Sequence, residues 1–378
     1  DWSSDVCSSD LHHCEIRWTE EAGFLPLTDR DVNTLWGRMN KTVGRVYLTD
    51  IYNVIHSEFV PLFNPFQSYF DHLPSWDGVS DPIGDLADTV HVKSDQAEFR
   101  DYFRKWFVGI LPALLDDTVV NHEILVLIGE QGLYKTTWFN FLLPPELRCY
   151  FYTKTNSDRL NKDDLFSLTE FALICFEELD GMRPAELNQL KAMVTMPYVN
   201  ERAAYGRNKE RHPHIASFCG TGNNVQFLTD PTGNRRWLPF EVSQIRDPHL
   251  HAIPYELVYS QAYALWKSGF CHWFSQEEIR KLNMHNSRFE VPNLEEDLIR
   301  THFRKPFEGE AGIFVTAADI LEQISSCLRY PLSPNKIGRI MAGLEFESIR
   351  YKGKRGYIAV KKTGEDIDRE RRSGALGL

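Results

Sequence analysis

Between residues 122 and 241, five short apolar runs (122–128, 149–153, 171–176, 214–219 and 236–241) alternate with helical patterns at about 135–143, 159–168 and 184–195. No other feature restricts the fold as much. Apolar runs of strand length are buried on both faces, and helical crossovers between them make neighbouring strands parallel. The expected fold class is α/β, with a five-stranded, mostly parallel sheet. At 42% apolar residues the chain can bury such a sheet.

The first run opens into HEILVLIGEQGLYKTTW, residues 122–138. A phosphate loop of the G-x-x-x-x-G-K-[ST] kind has glycine before its lysine. Here that place is taken by Tyr134, and the nearest glycine is Gly132. A loop between a buried strand and a helix N-terminus still suits an anion, because backbone N–H groups and the helix dipole point at it. Gly129 and Gly132 supply backbone freedom, and Tyr134 through Thr137 complete the candidate nucleotide loop. Lys135 would reach the β- and γ-phosphates, and Thr136 would place its hydroxyl on Mg²⁺. Position 134 is expected to be helical already, so that tyrosine there needs room but no positive φ.

Three later signals follow in a fixed order. FALICFEELD ends a strand in Glu177-Glu178, two acids that could hold Mg²⁺ and deprotonate an attacking water. HIASFCGTGNN ends a strand in an amide, Asn223 or Asn224, placed to hold that water and sense the γ-phosphate, on a strand expected between the previous two. LTDPTGNRRWLPF sets Arg235 and Arg236 ahead of a strand, where an arginine can act on a neighbouring subunit's ATP. Lysine loop, acidic strand, amide strand and arginine pair is the order of a five-stranded ATPase core. NERAAYGRNKER puts Arg202, Tyr205, Arg207, Lys209 and Arg211 in one loop, and basic residues with an aromatic suit single-stranded nucleic acid.

Elsewhere the chain reads as helical. Thr28, Thr49, Asn64 and Ser94 are expected helix caps, and Pro112 is expected to kink the long apolar stretch after Ser94. From about 293, three helices and two strands joined by Lys352-Gly353-Lys354-Arg355-Gly356 read as a winged helix. Residues 329–362 hold nine Lys/Arg against Glu345 and Glu347, in a chain of net charge −11. Nucleic-acid contact must therefore come from local patches such as Lys352, Lys354 and Arg355. No apolar run spans a membrane, and seven scattered cysteines without C-x-x-C suggest a reducing, cytoplasmic setting. Residues 1–11, DWSSDVCSSDL, look like a translated sequencing adapter rather than native protein, with a longer chain upstream expected.

The blocks GEQGLYKTTW, LICFEELDG, AELNQLKAMVT, AAYGR, FCGTGNN and FLTDPTGNRRWLPF, led by NPFQSYFDHLPSWDG, resemble the virulence-associated protein E family. The resemblance covers roughly residues 60–245. It implies an AAA+-like P-loop core similar to superfamily-3 helicases, found on phages and integrative elements and often fused to a primase. Lys135 and Thr136 would be the Walker A pair, Glu178 the Walker B acid, Asn223 the sensor and Arg235 or Arg236 the finger. Lys191 and residues 202–211 would face DNA. The implied organisation is a helical lead-in at 12–95, an ATPase core at 96–245, a helical connector at 246–292 and a winged-helix-like domain at 293–378. The expected activity is Mg²⁺-dependent ATP hydrolysis by a hexameric ring on single-stranded or forked DNA, with no membrane. The alternatives are a DNA-binding module that uses ATP as an assembly switch and, more remotely, a phosphotransferase.

Overall fold

The computed structural model describes residues 5–9, 14–18, 25–55, 57–60, 62–155, 162–201, 210–229, 234–291, 294–307, 309–325 and 333–375. The chain divides into two compact units, Asp1–Glu290 and Val291–Leu378. It is an α/β protein with a mixed six-stranded sheet and fourteen α-helices among the described residues. No helix among them is long and apolar enough to cross a membrane.

The sheet of the first unit contains β1 (Val90–Val92), β2 (Ile124–Ile128), β3 (Phe151–Lys154), β4 (Leu173–Phe176), β5 (Ser217–Gly222) and β6 (Trp237–Ile245). Their order is β1-β6-β2-β5-β4-β3. The five strands expected from sequence are mutually parallel, and β1 adds an antiparallel edge, Val92 opposite Val242. β5 lies between β2 and β4, with Phe218 opposite Ile124 and Ser217 opposite Leu173.

Strand alternation divides the core in two. Leu125, Leu127, Cys175 and Phe240 pack on one face, against helix α1 (Gln96–Leu115) and helix α2 (Lys135–Leu142). Ile124, Val126, Ile174 and Trp237 pack on the other, with Leu187 and Leu190 of the helix Pro184–Val194. Helix α1 buries Phe99, Phe103, Trp106 and Phe107 completely. Burying one such ring contributes roughly 1.5–3 kcal/mol. Trp106 Nε1 donates to Phe218 O at 2.9 Å, and Asn121 Nδ2 bridges Trp106 O and Ser217 Oγ, which ties α1 to β5. Phe66 and Phe70 from the lead-in, and Val258 and Tyr259 from the connector, join this same core.

Some local expectations change. Asp95, not Ser94, caps α1, its side chain accepting from Ala97 N–H. Either residue type can cap, and the two are adjacent. The helix assignment runs through Pro112 to Leu115. Thr49 lies inside the helix Leu48–Ile55, whose entry is held by Asp50 accepting from Tyr47 N–H. Thr28 and Asn64 do cap their helices. Asp5–Ser9, inside the stretch read as adapter-derived, forms a strand paired with Cys14–Arg17 and Leu62–Phe63.

In the second unit, helices Leu294–His302, Ala317–Ser325 and Pro334–Gly343 enclose a core of Ile299, Ile320, Ile324, Ile337 and Met341. Strand Lys354–Lys361 pairs antiparallel with Ile313–Val315 and Ser348–Tyr351. The hairpin turn is tighter than expected. Lys352 (φ +49°) and Gly353 (φ +79°) form the whole loop, and Lys354 and Arg355 already belong to the strand. Two successive positive φ values match the strand twist in a two-residue loop.

Candidate functional site

All five parallel strands end at one edge of the sheet. At that edge, residues 129–134 connect β2 to α2. Gly129 donates its N–H to Gly222 O at 3.1 Å. A Cβ on Gly129 would lie 2.9 Å from Val242 O, so only glycine fits there. Gly132 turns the loop at φ +89°. Tyr134 then adopts φ +60°, ψ +18°, a left-handed conformation. This corrects the expectation that position 134 is already helical. The loop needs a positive φ there, as a glycine would supply it, and a tyrosine adopts it under strain. Its side chain is 42% exposed.

Helix α2 starts at Lys135, and Trp138 N–H closes its first bond, onto Tyr134 O at 2.7 Å. The N–H groups of residues 135–137 thus have no intrahelical acceptor and point out of the helix start. The helix stops at Leu142 because Leu143 precedes Pro144 and is extended.

Several expected site residues converge here. Lys135 Nζ donates to Gly129 O (2.6 Å), Glu130 O (2.8 Å) and Asn223 Oδ1 (3.5 Å). Burial lowers the Lys135 pKa below the ordinary lysine value, and the Asp180 carboxylate opposes that shift. Thr136 Oγ1 donates to Glu177 Oε1 at 2.7 Å. Glu178 follows in a left-handed conformation (φ +54°), which turns the chain sharply after β4 and leaves its carboxylate exposed. Residues 131–137, Glu177, Glu178 and Thr221–Asn223 line a cleft of about 440 Å³.

Other expected residues lie elsewhere. Arg235 and Arg236 form a short turn just before Trp237, which is opposite Ile124 at the start of β2. They are therefore at the far end of the strands from Lys135. Burial and the neighbouring Arg235 lower the Arg236 pKa, while Glu123 opposes this. Lys191 is only 7% exposed, withdrawn from the surface where it was expected to face DNA. Arg202, Tyr205, Arg207 and Lys209 lie outside the described residues. Arg211, exposed on the hairpin of Tyr198–Glu201 and Glu210–Pro213, stacks 3.3 Å from the centre of the Tyr198 ring. Lys352, Lys354 and Arg355 are exposed on the hairpin of the second unit.

Asp180 has no role in the sequence reading, yet it touches the site's main chain. Its carboxylate accepts from Asn223 N–H and Asn224 N–H, both at 3.1 Å, and from Asn224 Nδ2 at 2.6 Å. The one sequence signal for it is a third acid in EELDG, spaced to follow a turn.

The fold and site thus define an α/β protein with a cleft at the carboxyl end of its five parallel strands, lined by Lys135, Glu177 and Glu178. Residues 71–291 match the virulence-associated protein E-like domain, and the chain belongs to that family. Among solved structures, the apo structure of the NrS-1 C terminal region (305-718) is similar at TM-score 0.50 and 12% identity, covering 95% of this chain and 96% of that one. An A form apo structure of the same region gives TM-score 0.48 at 11% identity, over 95% of this chain and 97% of that one. At such identity the likeness is one of fold. No curated protein matches the sequence significantly.

Proposed function

We propose that this protein is a Mg²⁺-dependent P-loop ATPase whose hydrolysis of ATP drives DNA translocation or unwinding during replication of a phage or integrative element. One observation carries the reading: Lys135, the Thr136–Glu177 pair and Asn223 meet in a single cleft at the carboxyl edge of strands ordered β6-β2-β5-β4-β3. The free N–H groups at the start of α2 suit the phosphates of ATP. Lys135 would exchange its loop carbonyls for the β- and γ-phosphate oxygens. The Thr136 hydroxyl and the Glu177 carboxylate are hard oxygen donors 2.7 Å apart, a pair fit to hold Mg²⁺ directly or through water. When bound, the ion would neutralise charge developing on the β- and γ-phosphates. Glu178, exposed at the cleft, would take a proton from the attacking water as the bond between the γ-phosphorus and the bridging oxygen breaks, with Asn223 orienting that water.

Family membership supports the replication context. Arg235 or Arg236 would complete the site of a neighbour in a ring. The helices Leu294–His302, Ala317–Ser325 and Pro334–Gly343 and the basic hairpin of the second unit would act as a winged helix, touching single-stranded or forked DNA through Lys352, Lys354 and Arg355. Residues 202–211 would face the channel, and a primase on the same or an adjoining chain would complete the machine.

Release of γ-phosphate by the purified chain with Mg²⁺, with and without single-stranded DNA, tests the reading. Glu178→Gln is expected to reduce turnover by about 10²–10⁴-fold, as removal of a general base does, while ATP still binds. No ATP affinity at millimolar concentration, or unchanged turnover in Glu178→Gln, overturns it. A second reading, ATP as an assembly switch with slow hydrolysis, draws on Lys135 being held by its own loop carbonyls. It requires nucleotide-dependent assembly without matching phosphate release.

A further inference from the structure

We infer that Asp180 is a positioning residue that joins the acidic strand to the amide strand and holds Asn223 against Lys135. The inference rests on the ATPase reading and names a residue that reading does not use. Its geometry is built in three steps. Glu178 turns the chain at φ +54°, and Gly181 N–H closes the turn onto Glu178 O at 2.8 Å. Leu179, fully buried, then docks on the β5 backbone, where a Cβ on Gly220 would be 2.2 Å from Leu179 Cδ1. This anchoring brings Asp180 to the end of β5, where a Cβ on Gly222 would lie 3.1 Å from Asp180 Oδ1.

There the two carboxylate oxygens divide the work. Oδ1 accepts from Asn223 N–H, and Oδ2 accepts from Asn224 N–H and Asn224 Nδ2. Three charge-assisted bonds fix two consecutive residues of a segment that leaves the sheet. The Asn223 side chain then reaches Lys135 Nζ at 3.5 Å. Asp180 is also the charge that opposes desolvation of Lys135. Thus the residues at the ends of β4 and β5 and the lysine after β2 are held as one unit. Any shift of the acid turn is passed to the amide and the lysine together.

An asparagine at 180 keeps the shape but not the function, because its Nδ2 faces backbone N–H donors. Steady-state phosphate release by the full chain with Mg²⁺ and ATP compares wild type, Asp180→Asn, Asn223→Ala and the double variant. The expected result is a kcat about 10²-fold lower in Asp180→Asn, the scale of a small misplacement of a catalytic group, with little change in KM. The double variant should be no slower than Asn223→Ala alone, because both act through one unit. Amide exchange at Asn223 and Asn224 should quicken in Asp180→Asn while that of Ile124–Ile128 is unchanged. Should Asp180→Asn unfold the unit, Asn224→Ala carries the test: it removes only the 2.6 Å bond and should lower kcat several-fold without altering KM. Near-normal kcat in an active protein, or losses that multiply in the double variant, overturn the inference alone. A wild type without turnover overturns the ATPase reading and the inference with it.

Discussion

Tyr134 offers a direct test of the loop. Its φ of +60° and ψ of +18° place a side chain in the left-handed region just ahead of α2. For a residue with a Cβ that conformation costs roughly 1–2 kcal/mol. Glycine escapes this cost but loses roughly 0.5–1 kcal/mol more chain entropy on folding. Comparing Tyr134→Gly with Tyr134→Ala removes the ring from both variants and leaves the Cβ as the difference. Glycine should therefore be the more stable by about 0.5–1 kcal/mol. At an unstrained helical position the order reverses, with alanine ahead by roughly 1 kcal/mol. Urea unfolding of both variants at matched m-values reads the difference. Thermal unfolding should show the glycine variant higher by about 1–2 °C for a unit of this size. An alanine variant as stable as the glycine variant would refute the assignment of a left-handed backbone at 134. Under the proposed function, strain held at this loop position implies a return in function, since such residues persist where the site over-determines them.

Two further outcomes follow from residues near the sheet. Burial pushes the Glu123 carboxyl up to about 7 from 4.5, with Lys105 and Arg236 opposing the shift. Its folded pKa exceeds the unfolded one, so its contribution is full below about 4.5 and falls as pH rises towards 7. Glu123→Gln should therefore raise stability at pH 8 by at most about 3 kcal/mol and change it little at pH 4, measured by thermal unfolding across that range. Gly220→Ala places a Cβ 2.2 Å from Leu179 Cδ1 and 3.1 Å from Phe176 O. It should destabilise the first unit by about 1–3 kcal/mol and lower any ATP turnover as well. Stability within error of wild type would mean that Leu179 is not docked there.

Much of the sheet was readable because its central strands, Ile124–Ile128, Leu173–Phe176 and Ser217–Gly222, are buried along their whole length, and helices lie between the first four of its five parallel strands in chain order. The sixth, Val90–Val92, has only three residues and joins by antiparallel pairing with the far end of β6, a tertiary choice with no local pattern. The convergence of Lys135, Thr136, Glu177 and Asn223 was readable from the order of the motifs, since β5 had to enter between β2 and β4 for the amide to face the lysine. The conformation of Tyr134 was not. A tyrosine carries no local signal for positive φ, and the demand comes from the path between Gly132 and the first turn of α2. Asp180 stayed hidden for a related reason: its partners are more than forty residues away, and two of the three are main-chain N–H groups, which any sequence would supply. Lys191, which the family resemblance implies faces DNA, lies on the helix Pro184–Val194, and the two-faced core draws that helix in along its apolar side and leaves Lys191 buried.

The position of the arginine pair bears on assembly. Arg236 precedes Trp237, which is level with Ile124, while Lys135 follows Ile128. Five strand positions at about 3.3 Å each separate the two ends by roughly 16 Å, and both arginines are held by the short turn Asn234–Arg236 against the start of β6. A guanidinium on a side chain of ordinary length does not cross that distance around the edge of a buried sheet. If ATP binds at Lys135 and an arginine from this pair stabilises its transferring phosphate, the arginine must come from another copy of the chain. The proposed ATPase would then depend on assembly. Turnover per chain should rise with protein concentration, and mixing inactive Lys135→Ala with inactive Arg235→Ala/Arg236→Ala chains should restore part of the activity at interfaces that combine one intact loop with one intact arginine pair. Mixtures as inactive as either parent would place the required cation within the same chain, and would remove the arginine pair from the site.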